Sequence, residues 1–166
     1  REDDSPFSTD GFISSFRIRN GIVDFRARWI RTPRFLNNLN ARKQLYGVYR
    51  NPFTADPSNN YADKPYLGTV INTAPIAHHG KLYALKEDAH PYEIDPNTLE
   101  TLGPWNFDGD YKAQTFSAHP KVDPVTGDMI CYGYEATGLC TDDLWIYVVS
   151  PQGKVTKEYR VKVPYV

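Results

Sequence analysis

The sequence predicts an all-β fold of short antiparallel strands with at most one or two helices. Three observations carry that expectation. Short segments rich in Val, Ile, Tyr, Phe and Trp recur at close spacing. Thirteen prolines and eleven glycines punctuate them. Finally, one hairpin is legible on its own. Residues 13–19 lead into Asn20-Gly21, a strong two-residue turn signal. In the return segment, 22–31, Val23, Phe25, Ala27 and Trp29 alternate with Asp24, Arg26, Arg28 and Ile30. The pattern admits a meandering antiparallel sheet, a propeller or a sandwich.

Taken in order, residues 1–5 are charged and expected to be loose. Pro33 ends the hairpin. Residues 34–47 are the best helix expectation, although their apolar spacing is irregular enough to fit a polar loop. Residues 51–65 hold Pro52, Pro57 and Pro65 among several Asn and Asp residues and read as a loop, an element that often lines sites on a β scaffold. Strands are expected at 69–77 and 81–86 around His79-Gly80, and at 92–95 before a Pro96-Asn97 turn. Residues 98–102 read as a turn and a strand start. Strands follow at 129–134, at the apolar 144–150, and at 154–163 beyond Pro151-Gln152-Gly153, with a polar loop at 135–143. The acidic turns Asp95-Pro96-Asn97-Thr98 and Asp123-Pro124-Val125-Thr126-Gly127 form a faint blade-like repeat.

With 166 residues the chain is long enough for one domain with a real core. Nineteen basic and twenty acidic residues give a net charge of -1, which argues for neither nucleic acid nor an anionic membrane as partner. No apolar run approaches the roughly 20 residues that span a bilayer, so membrane contact is not expected. Arg1-Glu2-Asp3-Asp4 is not a signal peptide. Cys131 and Cys140 are too few and wrongly spaced for a disulfide framework, so a reduced, cytoplasmic setting is expected. Cys131 reads as a small core residue.

The stretch Thr115-Phe116-Ser117-Ala118-His119-Pro120 sets one histidine at the end of a polar, turn-rich segment. Residue chemistry alone leaves His119 as a metal ligand, a general base or a hydrogen-bonded structural residue, the last being the commonest. His78 and His79 flank a hairpin turn and are expected to face solvent. His90 is expected at the surface or in packing. Lys86 on its own reads as a strand-end surface lysine, and Glu87 as a turn cap or an arginine partner.

Several segments, in order, resemble the carotenoid cleavage oxygenase family, closest to its stilbene-cleaving, lignostilbene dioxygenase branch. Asp10-Gly11-Phe12-Ile13 is similar to the family's Gly-Asp-Gly-Met-Val segment, with Thr9 replacing the first glycine. Residues 25–32 (FRARWIRT) resemble the arginine-rich strand that follows it. Leu85-Lys86-Glu87-Asp88, residues 91–102 (PYEIDPNTLETL) and 117–124 (SAHPKVDP) resemble consecutive family signatures. Lys162-Val163-Pro164-Tyr165 resembles the segment upstream of the next iron ligand. The chain then stops within apolar sequence, and is expected to be cut there.

The resemblance implies that residues 1–166 are a single fragment, the first blades of a seven-bladed β-propeller. It implies Fe(II) on the propeller axis, held by four histidines, and cleavage of an alkene by O₂ into two carbonyl products. His119 matches the first iron ligand, and Glu87 a carboxylate that orients a ligand imidazole through its other ring nitrogen. The other three ligands fall beyond Val166, so the remaining propeller is an expected partner, whether or not as a separate chain. Lys86 and Tyr49 match the pair that binds the substrate phenol in the stilbene branch, with Tyr46 as the fallback for Tyr49. Phe7 matches an aromatic lining the cleft. The expected substrate is a hydroxystilbene, an aromatic alkene. The alternatives are carotenoid or apocarotenoid cleavage, in which Lys86 is not expected beside Glu87, and a non-catalytic propeller binding module.

Overall fold

The computed structural model describes residues 6–59, 61 and 64–164. The expectations for residues 1–5 and for the last two positions, Tyr165 and Val166, lie outside them. Ten strands and one α-helix are seen among the described residues. Strands β1 (Phe12–Arg19) and β2 (Ile22–Trp29) form a hairpin by themselves. β3 (Ala74–His78), β4 (Lys81–Leu85), β5 (Tyr92–Ile94) and β6 (Thr101–Pro104) make a four-stranded antiparallel meander. β7 (Lys121–Val122), β8 (Met129–Tyr134), β9 (Asp143–Val149) and β10 (Val155–Lys162) make a second one. Each meander has the form of a propeller blade.

The Asn20-Gly21 turn has φ of 51° and 77°, as a type I′ turn requires. It pairs Phe16 with Phe25 and Phe12 with Trp29. Strand alternation therefore puts Phe12, Phe16, Ile18, Val23, Phe25 and Trp29 on one face, each more than half exposed. The opposite face carries the arginines. Arg17 reaches Asn97 Oδ1 at 3.0 Å, Arg26 donates to the Asn97 carbonyl, and Arg28 donates to the Thr98 carbonyl at 2.7 Å. The hairpin thus rests on the β5–β6 turn through its charged side.

Helix α1 (Pro33–Ala41) is shorter than the expected 34–47. Thr32 caps it by accepting the Phe35 N–H, and Pro33 occupies the first turn, where no amide donor is needed. Arg42, at φ 52°, ends it in the left-handed region and returns its N–H to Asn38 and Leu39. Beyond that point Leu45 and Tyr46 turn inward, so the irregular apolar spacing was a change of structure within the segment. The expected strand 69–77 is likewise cut: residues 69–73 run extended and only Ala74–His78 joins the sheet. No helix among the described residues is long and apolar enough to cross a membrane.

The main core lies between the two meanders, where Tyr83, Phe107, Tyr111, Phe116, Cys131 and Tyr147 pack together. Cys131 is fully buried there, as expected of a small core residue. A second cluster, including Ile30, Ile71, Tyr92, Ile94 and Leu99, joins the hairpin end to the first meander.

The histidine pair departs from expectation. His78 is buried and His79 partly so, where solvent exposure was predicted. Their Nδ1 atoms lie 3.2 Å apart, His78 Nε2 reaches the Gly127 carbonyl at 3.0 Å, and Tyr83 OH meets His79 Nε2 at 2.8 Å. The β3–β4 turn is therefore not a free tip but is tied to the turn before β8. His90 packs as expected, edge-on to Tyr111 with its Nε2 2.7 Å from the Ala113 carbonyl.

Candidate functional site

Four segments far apart in sequence converge beside the C-terminal end of β4. Residue 85 ends that strand, and the chain delivers Lys86, Glu87 and Asp88 in succession into the space between the blades. Lys86 is only 1% exposed, so the reading of a strand-end surface lysine is wrong. Its Nζ donates to the Asn72 Oδ1 at 3.0 Å and to the Phe7 carbonyl at 3.2 Å. It also sits 4.3 Å from the Tyr49 ring centre and 5.2 Å from that of Phe7, within cation–π range. Burial lowers the Lys86 pKa, and the carboxylates of Asp88 and Glu87 oppose that shift.

Phe7 and Tyr49 face each other with ring centres 6.0 Å apart and form the aromatic wall over Lys86. Arg34 holds the two segments that carry them. Its guanidinium, nearly fully buried, donates to the Ser8 carbonyl at 3.0 Å and the Gly47 carbonyl at 2.7 Å, with Asp10 3.7 Å away. Tyr49 N–H in turn donates to the Ser8 hydroxyl at 3.0 Å. The Tyr49 hydroxyl lies 3.4 Å from that of Tyr134. Burial, then this contact, raise the Tyr49 pKa, so the phenol keeps its proton and acts as a donor. Tyr134 is flanked by Arg50, 5.4 Å from its ring centre, and Arg50 is paired with Glu135 at 2.6 Å. Tyr46 lies elsewhere: it is buried, with its hydroxyl 2.7 Å from the Asn37 amide nitrogen.

On the other side of Lys86, the Glu87 Oε1 accepts the Ala118 N–H at 3.0 Å and stands 3.7 Å from His119 Nε2. The 115–119 segment is clamped to β8 at both ends: Thr115 hydroxyl donates to the Tyr134 carbonyl at 2.5 Å, and Ser117 N–H to the Tyr132 carbonyl at 2.6 Å. The His119 side chain is 62% exposed while that of Glu87 is 17% exposed. Glu87 Oε2 is buried and has no hydrogen-bond partner among the described residues. An orphaned carboxylate oxygen is costly and points to a donor still to be supplied. Asp88, beyond it, is buried with its carboxyl pKa raised by desolvation, and it accepts from the Thr69 hydroxyl at 2.6 Å.

Phe7, Tyr49, Lys86 and Glu87 are thus brought together, with His119 at the rim. The part of the site that reads poorly from sequence is its support: Asn72, Arg34, Tyr134 and Arg50 carry no motif. Only the spacing of Asn72 ahead of Lys86 on the adjoining segment offers a signal. Among the described residues no group of three His, Cys, Asp or Glu side chains converges to hold a metal. The donor set is one open imidazole backed by a carboxylate, which suits a single ligand of a larger shell.

The family described as retinal pigment epithelial membrane protein matches residues 1–166. Isoeugenol monooxygenase of Pseudomonas putida is 49% identical over 164 residues, covering 96% of this chain and 34% of that protein. Lignostilbene-alpha,beta-dioxygenase isozyme III of Sphingomonas paucimobilis is 47% identical over 164 residues, covering 99% and 33%. The crystal structure of Pseudomonas brassicacearum lignostilbene dioxygenase superposes with a TM-score of 0.90 at 45% identity, covering 98% of this chain and 33% of that one. The chain therefore spans about a third of the length of the relatives it matches.

Proposed function

The chain belongs to the retinal pigment epithelial membrane protein family, that of the carotenoid cleavage oxygenases, and from that premise we propose that its parent is a non-haem Fe(II) dioxygenase. The parent cleaves the alkene of a hydroxystilbene with O₂ to give two aldehydes. Residues 1–166 contribute the first blades of its seven-bladed propeller domain, and the rest of the protein completes both propeller and iron shell. The observation that carries the substrate assignment is the burial of the Lys86 ammonium against the Tyr49 and Phe7 rings. Two free thiols, Cys131 and Cys140, fit a reducing cytoplasmic setting.

His119 contributes one of the four imidazoles that hold iron. Glu87 Oε2, without a partner of its own, accepts the N–H of an imidazole supplied by the rest of the protein and orients that ring. Iron, when bound, supplies the site at which O₂ is activated. The chain's own residues prepare the other reactant. Phe7 and Tyr49 bracket the substrate ring and exclude water. The lowered pKa of Lys86 lets its amine form accept the phenolic proton. Lys86, now an ammonium, and the Tyr49 hydroxyl then both donate to the phenolate oxygen. The phenolate pushes electron density through the ring to the alkene carbon that must react. A carotenoid offers no phenol, and its entry would leave the buried Lys86 cation without an anionic partner, a costly arrangement.

The test uses the intact protein loaded with Fe(II), a 4-hydroxystilbene and O₂, beside Lys86→Met and His119→Ala. Two aldehydes from the wild type, none from His119→Ala and far less from Lys86→Met would support the assignment. Cleavage of a carotenoid but not of the stilbene would sink the substrate and keep the enzyme class. No reaction with either, and no iron bound, would favour a propeller that serves as a binding module.

A further inference from the structure

We propose that Asn72 is the positioning residue of Lys86, and that its neutral amide makes the site selective for a free phenol. The inference rests on the role given to Lys86 above. Asn72 lies on the extended stretch beside β4, where Thr73 N–H pairs with the Leu85 carbonyl at 3.1 Å. The preceding residue, Ile71, is buried with φ 47°, a backbone state that β-branched residues rarely adopt. That departure from the strand path turns the Asn72 side chain toward Lys86.

The amide orientation follows from its partners. Lys86 Nζ is donor-only, so the atom 3.0 Å from it is the amide oxygen. The amide nitrogen then faces acceptors only, the Thr9 carbonyl at 2.7 Å and the Pro6 carbonyl at 3.0 Å. Asn72 is therefore held from behind by the segment that carries Phe7.

An ammonium has three N–H donors. Asn72 Oδ1 takes one and the Phe7 carbonyl a second, which leaves the third for a ligand in the cleft. Both fixed partners are neutral dipoles. They set the direction of the ammonium without cancelling its charge, and Asp88 and Glu87, its carboxylate neighbours, make no hydrogen bond to it. Tyr49 and Phe7 meet it with ring faces. The charge thus remains available to a phenolate oxygen. A carboxylate in place of the amide would occupy it with a permanent ion pair.

The experiment uses the intact, Fe(II)-loaded protein with a 4-hydroxystilbene and its 4-methoxy analogue as substrates. Asn72→Asp, Asn72→Ser and Lys86→Met are compared for kcat/KM against pH, iron content and thermal midpoint. The limb of the profile that vanishes in Lys86→Met belongs to Lys86. In Asn72→Asp that limb moves up by about one pH unit, and kcat/KM for the hydroxystilbene falls by about tenfold or more. In Asn72→Ser, whose shorter hydroxyl cannot span to both partners, the hydroxy-over-methoxy preference falls by a similar factor. A purely structural Asn72 would lower the thermal midpoint of both variants while leaving that limb and that preference in place, and this result would overturn the proposal. Should Asn72→Asp fail to fold, the preference of Asn72→Ser decides. If Lys86→Met itself keeps the wild-type preference, the assigned role of Lys86 falls, an outcome separate from any result at Asn72.

Discussion

Glu87 and His119 stand 3.7 Å apart, carboxylate Oε1 to imidazole Nε2, and the same oxygen accepts the Ala118 amide at 3.0 Å. One carboxylate at the end of β4 thereby fixes the backbone that presents His119, which is carried by a segment of the neighbouring blade. Its second oxygen is left for another donor. Removing the carboxylate should loosen both. Glu87→Ala in the intact protein is expected to lower iron affinity by about 10- to 100-fold, read by metal analysis after dialysis against a graded chelator. Unchanged iron retention would remove Glu87 from the metal site.

The histidine pair predicts a pH-dependent seam between the blades. His78 Nε2 donates to the Gly127 carbonyl, so its Nδ1 is the acceptor for His79 Nδ1–H, and His79 Nε2 accepts the Tyr83 hydroxyl. A proton added to His79 must displace Tyr83 as donor and meets Lys81 nearby. Burial, then His78, then Lys81 lower the His79 pKa, while Glu93 and Asp108 oppose them. With the folded pKa below the unfolded value near 6.5, the unfolded state binds the proton more readily. Stability is therefore full above that value and declines as pH falls below it. His79→Gln should flatten the decline of the urea midpoint between about pH 7.5 and pH 5.5. An equal decline in the variant would place the acid sensitivity elsewhere.

Gly133 has no room for a side chain. A Cβ there would sit 2.3 Å from the Thr115 carbonyl oxygen, on the segment that leads to His119. Gly133→Ala should cost about 1–3 kcal/mol or more by overpacking. Chemical denaturation gives the stability, and metal analysis should show weaker iron retention from the displaced 115–119 segment.

Arg34 joins the backbones of Ser8 and Gly47, and so the walls that carry Phe7 and Tyr49. Arg34→Ala would leave both carbonyls and Asp10 without their cation. The expected loss is about 3–5 kcal/mol, measured as a shift in the denaturant midpoint. A loss below about 1 kcal/mol would show that water replaces the clamp.

The two thiols should differ sharply in reactivity. Burial raises the Cys131 pKa and hides it from reagent, while Cys140 is exposed. Iodoacetamide on the native protein, followed by peptide mass spectrometry, is expected to modify Cys140 and to reach Cys131 only after denaturation.

The sequence by itself determined the elements whose signals are local. Asn20-Gly21 specified the first hairpin because a type I′ turn needs residues that tolerate positive φ. Period-two apolar runs located β8, β9 and β10 to within a residue or two. The end of the helix was missed because Arg42, not a glycine, adopts the left-handed state that stops it. Exposure was the harder matter. The same alternation that marks β2 as a strand cannot say whether its apolar face is covered, and among the described residues Phe16 and Phe25 are not. Likewise His78, read as a turn residue, is buried because the neighbouring blade lies against it. Tertiary structure alone decided the site. Phe7, Tyr49, Lys86 and His119 are separated by tens of residues, and periodicity carries no information on which side chains meet across the sheets. Burial turned Lys86 from an ordinary surface cation into a desolvated one held by Asn72, since only packing can strip water from a charge.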